Sequence, residues 1–340
     1  MEIFAPDMAI DLGSSNTLIY VHKRGIVINE PTVVVVSTSN KHLVRAVGDE
    51  ALRLMGRTTD TLTAIRPIKN GVIEDFDSTE VLVRYFMRKA IGVSHLLGPK
   101  VLISVPVGLP PVQRKAMIEA VTVAGGRKKN VFLVEKPLAA AIGSGLPVFE
   151  PTGTMIVDIG GGTTDTAVVS LGGIVVAQSI PVGGVRMDEA IVNYLKKTSS
   201  MLIGAHTAED VKIDLASAMP VDDARKVRIR GRDLLSAHAM DVEFSAAQAY
   251  EALKEPCAAI LASIKWVLER TPPELAADIM RAGIHLTGCG SQLFAIDQYI
   301  AAHLGLPVLV TREPEDATVN GLAYLIENEG LFDSITKREH

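Results

Sequence analysis

The sequence has little cysteine, no excess of positive charge and no long apolar run. Only Cys257 and Cys289 occur among 340 residues, far apart and without C-x-x-C spacing. That excludes a disulfide framework and a cysteine zinc site, and it suits a reducing cytoplasm. The formal net charge is −5, so no basic face for nucleic acid is expected. The 8 histidines are scattered, without an HExxH or HxxxH pair that would suggest a metal. No stretch approaches the roughly 20 apolar residues of a membrane span. The start, MEIFAPDMAIDLG, lacks the basic and apolar regions of a signal peptide.

What is present is a globular chain, 48% hydrophobic and 21% charged. Its length suits two domains. Short β-branched runs open it: MAIDLG, NTLIYV, GIVINE and TVVVVS. DSTEVLVRYFMRKAIG then reads as a helix, with Asp77 as its expected cap and Glu80 completing a capping box. Strand KVLISVP, helix PVQRKAMIEAVTVAGG, strand NVFLVE and helix PLAAAIGSG follow. This alternation predicts an α/β fold with a mostly parallel sheet and helices on both faces. A helical insertion is expected at about 187–270.

The pattern then restarts. MAIDLGSSNTLIYV and MIVDIGGGTTDTAVVSL are each a strand, an aspartate, a glycine turn with hydroxyl residues, and a strand. Asp11 and Asp158 are 147 positions apart (158 − 11), which predicts two similar halves facing one another. A third glycine turn, TGCGS, comes late in the chain. Glycines let the backbone approach a ligand, and successive N–H groups in such turns form anion sites. A hairpin would also choose Gly and Asn, so each turn alone is ambiguous. The three together point to phosphate binding. The aspartates would repel bare phosphates and make sense with Mg²⁺ between them.

Taken in order, DLGSSNT, VEKPLAAAIG, VDIGGGTTD, TAEDVKI and LTGCGS resemble the actin-like ATPase superfamily. INEPTVVVV, GRTTDTLTAIRPIKNGVIEDF, LIGAHTAEDVKI and LERTPPELAADI resemble the MreB family of bacterial actin-like cell-shape proteins. The likeness runs from about Met8 to Leu331. It implies an actin-like fold, two ribonuclease-H-like α/β halves around a nucleotide cleft. The expected bounds are 1–150, with a small subdomain at about 30–75, and 151–333, with the insertion as its subdomain; 334–340 would be a tail.

The resemblance also implies roles. Gly13, Ser14, Ser15 and Asn16 match the first phosphate loop, and Gly160, Gly161, Gly162 and Thr163 the second. Gly183 and Gly184 match a glycine pair near ribose and phosphates. Glu209 and Lys212 match contacts to ribose and adenine, and Gly288, Gly290 and Ser291 the loop beside the adenine. Asp11 and Asp158 would hold Mg²⁺ through water, with ATP as the nucleotide. Leu96 and Leu97 match a loop that enters the inner leaflet, and Pro111 to Ala124 a helix that pairs protofilaments. The implied partners are further copies of the chain, the inner face of the cell membrane and the cell-wall elongation machinery. Rival classes on the same fold are a sugar kinase-type phosphotransferase and a chaperone-type ATPase, and the chain length argues against the latter.

One position departs from the pattern. The residue before the helix-opening proline is usually Glu in the related ATPases, or Gln in actin, and it positions the water that attacks the γ-phosphate. Here it is Lys136. A charged lysine has three donors and no acceptor, so it cannot take a proton from water. Slow or absent hydrolysis is the expectation, with Glu135 and Asp165 as the candidate substitutes. Val185-Arg186 and Cys289 also depart from the family pattern, and together the changes suggest a divergent paralogue.

Overall fold

The structure is a computed structural model that describes residues 5–40, 43–57, 59–92, 98–221 and 224–336. Leu96 and Leu97 lie outside the described residues, as does most of the terminal tail.

Two five-stranded sheets organise the chain. The first contains β1 (Met8–Leu12), β2 (Asn16–Val21), β3 (Gly25–Pro31), β4 (Val101–Val105) and β5 (Val131–Glu135). The second contains β6 (Thr154–Ile159), β7 (Thr164–Ser170), β8 (Gly173–Ile180), β9 (Ile284–Thr287) and β10 (Val308–Val310). Their orders are β5-β4-β1-β2-β3 and β10-β9-β6-β7-β8, the same arrangement twice. The duplication expected from the two aspartate turns is thus present in the topology.

The sheets are mixed, which corrects the expectation of a mostly parallel one. β1, β4 and β5 run parallel, while β1-β2-β3 is an antiparallel meander. The second sheet repeats this division. The tight glycine turns explain it: two or three residues can close a hairpin, whereas a parallel crossover needs a dozen or more.

The helices used below are α1 (Phe76–Ile91), α2 (Pro111–Ala124), α3 (Lys136–Gly143), α4 (Gly184–Ser199), α5 (Ala205–Leu215), α6 (Ala246–Arg270) and α7 (Ala317–Glu327). Side chains alternate across a strand, so β1 sends Met8 and Ile10 to one face and Ala9 to the other. Met8 and Ile10 join Leu82, Phe86 and Met117 of α1 and α2. Ala9 joins α3 and α7, together with Ile156, Ala167 and Val169 of the second sheet. The helices α3 and α7 are therefore packed between the two sheets. Both faces of β1 are covered, and all five of its residues are buried.

This sandwich explains the run of small residues after the lysine. Ala139, Ala140 and Ala141 are fully buried in the shared layer. A Cβ on Gly143 would lie 1.9 Å from the Ala317 carbonyl oxygen, and one on Gly321 would lie 1.8 Å from that of Ala139. The two helix backbones touch where both lack side chains.

Three local expectations change. The cap of α1 is Asp75, which accepts a hydrogen bond from the Ser78 N–H at 2.9 Å, rather than Asp77. Glu80 turns instead to Arg84 one turn along. The insertion is not purely helical, because Lys226–Asp233 and Ala239–Ser245 form a hairpin beside Met201–Leu202. The final helix, Glu329–Thr336, runs into the segment expected to be a tail. Among the described residues no helix is long and apolar enough to cross a membrane.

Candidate functional site

The two aspartate turns are built alike. Gly13 N–H donates to the Asn16 carbonyl at 3.0 Å, and Gly160 N–H to the Thr163 carbonyl at 2.8 Å. The turns also meet. A Cβ on Gly161 would fall 2.1 Å from Ser15 Oγ, and one on Gly162 would fall 2.3 Å from Ser14 Oγ. Only glycine permits that approach. Ser14 is buried, and its hydroxyl accepts from the Gly71 N–H at 3.2 Å.

The glycine pair Gly183-Gly184 caps α4 directly behind the second turn. Gly184 and Val185 N–H donate to the Gly160 and Gly161 carbonyls at 3.0 and 2.8 Å. Lys212 from α5 reaches the same place, donating to the Gly184 carbonyl at 3.3 Å and pairing with Asp188 at 2.8 Å. Burial pushes the Asp188 carboxyl up to about 6, Lys212 pulls it down and Glu209 raises it. Arg66 feels Glu209 and Asp188 as well, while burial holds its guanidinium below the ordinary range. Arg66 also reaches the Ser14 and Ser15 carbonyls, at 3.4 and 3.5 Å. Lys212 therefore stands against the glycine pair, and Glu209 acts on Arg66 and Asp188 beside it.

The late glycine turn packs onto the second aspartate strand. Gly288 has φ +78°, and a Cβ there would fall 2.3 Å from Asp158 Oδ1. The left-handed residue is Gly288 and not Cys289, so a cysteine fits the turn. Ser291 is buried and donates to its own loop, to the Gly288 carbonyl at 2.7 Å. Arg186 is half-exposed and pairs with Glu189 at 2.7 Å.

Lys136 lies at the centre. It is 9% exposed, and its Nζ is 2.8 Å from Asp11 Oδ1. Ser104 Oγ donates to the same oxygen. Burial pushes the Lys136 ammonium towards neutrality, but attraction to Asp11, Asp158 and Asp165 outweighs it and holds the group above the usual lysine range. Burial pushes Asp158 up to about 6; Lys136 lowers it, and Asp165 and Asp11 raise it. Thr318, in the first turn of α7, donates to Asp158 Oδ2 at 3.3 Å.

The two candidate substitutes already have partners. Glu135 pairs with Arg114 of α2 at 3.2 Å. Asp165 is buried and accepts from Thr163 Oγ1 at 2.8 Å and the Val107 N–H at 3.3 Å.

The donor set does not fit a directly ligated Mg²⁺. Among the described residues no group of three or more His, Cys, Asp or Glu side chains is gathered for a metal. The Asp11 oxygen that would serve already has an ammonium and a hydroxyl on it.

Four residues of this constellation escape a reading of motifs: Arg66, Ser104, Asp188 and Thr318. Two of them leave a trace in the sequence. Ser104 is a polar residue inside the apolar strand VLISV, and Arg66 precedes a proline after an apolar run.

Comparison with known proteins shows the family and the fold. A sequence model of the MreB/Mbl protein family matches residues 5–333. The chain is 44% identical over 338 residues to the cell shape-determining protein Mbl of Bacillus subtilis, covering 99% of each. It is 44% identical over 323 residues to the cell shape-determining protein MreB of Escherichia coli, covering 94% of this chain and 92% of the other. Among solved structures, MreB 5 of Spiroplasma citri bound to AMPPNP matches with TM-score 0.90 and 30% identity over 98% of each chain. The MamK double helical filament shares the fold, with TM-score 0.77 and 20% identity over 96% of this chain and 98% of the other. The chain belongs to the MreB/Mbl family of actin-like cell-shape proteins.

Proposed function

We propose that the protein binds ATP between its duplicated turns and assembles into filaments, with hydrolysis slowed by Lys136. The observation that carries this reading is the buried Lys136–Asp11 pair at 2.8 Å, set among turns whose glycines allow the two halves to meet. The related MreB 5 of Spiroplasma citri is described bound to AMPPNP and to ADP, which supports a nucleotide here. Gly13–Asn16 and Gly160–Thr163 would present backbone N–H groups to phosphates. Gly183 and Gly184, Glu209 and Lys212 would meet the ribose side, and Gly288–Ser291 the base.

Hydrolysis needs an acceptor in line with the γ-phosphate to orient a water. Lys136 offers donors only. Losing such a group costs about 10²–10⁴ in rate. Any Mg²⁺ carried in by the nucleotide would stay hydrated on the phosphates, with Asp158 as its outer neighbour, since Asp11 Oδ1 is taken by Lys136.

Assembly, a peripheral place on the inner membrane face through Leu96 and Leu97, and contact with the cell-wall elongation machinery complete the reading. It is the reading that membership of a cell-shape family favours. Sedimentation tests it. Purified protein is expected to pellet on adding ATP, and no sugar is expected to stimulate ATP turnover. Protein that stays in the supernatant with every nucleotide would refute the filament reading.

A further inference from the structure

Lys136 changes the electrostatics of the site as well as its chemistry. Asp11, Asp158 and Asp165 all act on its ammonium, and none of the three is exposed. Buried like charges repel strongly unless compensated. With Lys136 charged, the four groups sum formally to −2, three carboxylates against one ammonium; a carboxylate at that position would make the sum −4. A polyphosphate approaching a −4 cluster needs a divalent cation to bridge the repulsion.

The geometry settles which cation is already there. Lys136 opens α3 directly after β5, so strand and helix together fix where its side chain starts. Its Nζ shares Asp11 Oδ1 with Ser104, so that oxygen already carries a cation and a donor. The backbone of α3 is locked against α7 at Gly143 and Gly321, so the helix cannot slide to withdraw the ammonium without breaking that contact. Glu135 points to Arg114 and adds no acidic neighbour to the cluster.

We propose that Lys136 is a built-in counter-cation of the nucleotide site, its ammonium taking the place of a divalent ion beside Asp11, so that nucleotide binds with little dependence on Mg²⁺. This rests on the reading above that the duplicated turns hold a nucleotide. The ligand class is a nucleoside di- or triphosphate without its metal. The same tethered charge accounts for binding and for slow turnover together, since an ammonium attracts phosphate and cannot activate water.

The test is the equilibrium affinity of the full chain for a fluorescent ATP analogue, with excess Mg²⁺ and with excess EDTA. The parent, Lys136→Gln and Lys136→Glu are compared, with thermal melting to establish that each is folded. The parent is expected to lose less than about threefold in affinity without Mg²⁺. Lys136→Glu is expected to lose about a hundredfold or more, from two unit charges changed a few ångströms from the phosphates. Lys136→Gln should fall between them. If the variants do not fold, the parent's own ratio decides. A parent that binds tightly with Mg²⁺ and loses a hundredfold in EDTA overturns this inference and leaves the nucleotide reading standing. A parent that binds in neither condition overturns both.

Discussion

The two halves of the molecule carry the same turn and use it differently. In the first, Asp11 pairs across its hairpin with Leu18; in the second, Asp158 pairs with Asp165. Each aspartate also meets the first turn of the helix that follows the edge strand of its sheet. For Asp11 that group is Lys136 of α3 at 2.8 Å, and for Asp158 it is Thr318 of α7 at 3.3 Å. One duplicated frame thus holds a cationic donor on one side and a neutral donor on the other. Among the described residues, the second half brings two acids and no cation of its own to this point. The single ammonium of the first half serves both.

The largest effect that would break this comparison is Lys136→Met. It leaves Asp11 buried without its cation, and removing one partner of a buried pair costs about 3–5 kcal/mol. Chemical denaturation of the nucleotide-free protein should show that loss; a change below about 1 kcal/mol would mean that the pair is not formed in solution. Next comes the shared helix crossing. Gly321→Ala places a Cβ against the Ala139 carbonyl, and overpacking of this kind costs about 1–3 kcal/mol. A melting temperature at or above that of the parent would show that α3 and α7 sit further apart. The counterpart, Thr318→Val, should cost about 1.5–3 kcal/mol, the net worth of one hydrogen bond to a charged group. If it costs as much as Lys136→Met, the cationic and neutral donors do not differ as described.

The last expected effect is a pH slope rather than a fixed loss. The folded Asp188 carboxyl is pushed up to about 6 from 3.8 by burial, with Lys212 opposing and Glu209 adding. The folded state therefore binds this proton more tightly than the unfolded chain. Between about pH 4 and pH 6 this group alone makes the fold less stable as pH rises. Asp188→Asn removes that component. The melting temperature of the variant relative to the parent should rise across that window, and a difference that stays flat or falls would refute the assignment.

Much of the fold was legible because it is written twice. The repeated strand, aspartate, glycine turn and strand gave the two halves and the positions of their loops. The parallel and antiparallel pairing was misjudged because apolar runs buried on both faces look alike in either sheet, and the short glycine turns had to be weighed as hairpins. Asp75 and Asp77 are both reasonable caps, and the choice rests on which backbone first becomes helical. The hairpin of Lys226–Asp233 was hidden among charged residues on exposed strands.

The site was legible where glycine and aspartate share a turn. It was not legible where distant strands complete it, because Ser104, Arg66 and Thr318 come from elements with no common motif. Lys136 stood out by its chemistry alone, but its partner did not. Whether Lys136 or Glu135 faces Asp11 is decided by the exact end of β5, where neighbouring side chains point to opposite sides. The structure sends Lys136 inward and Glu135 to Arg114.

The most direct test of the central claim is phosphate release from Mg-ATP, for the parent beside Lys136→Glu, under conditions of assembly. The account predicts a nearly silent parent and a variant faster by about 10²-fold or more. Equal rates in the two proteins would contradict it, and would move the search for the water-positioning group to Glu135 and Asp165.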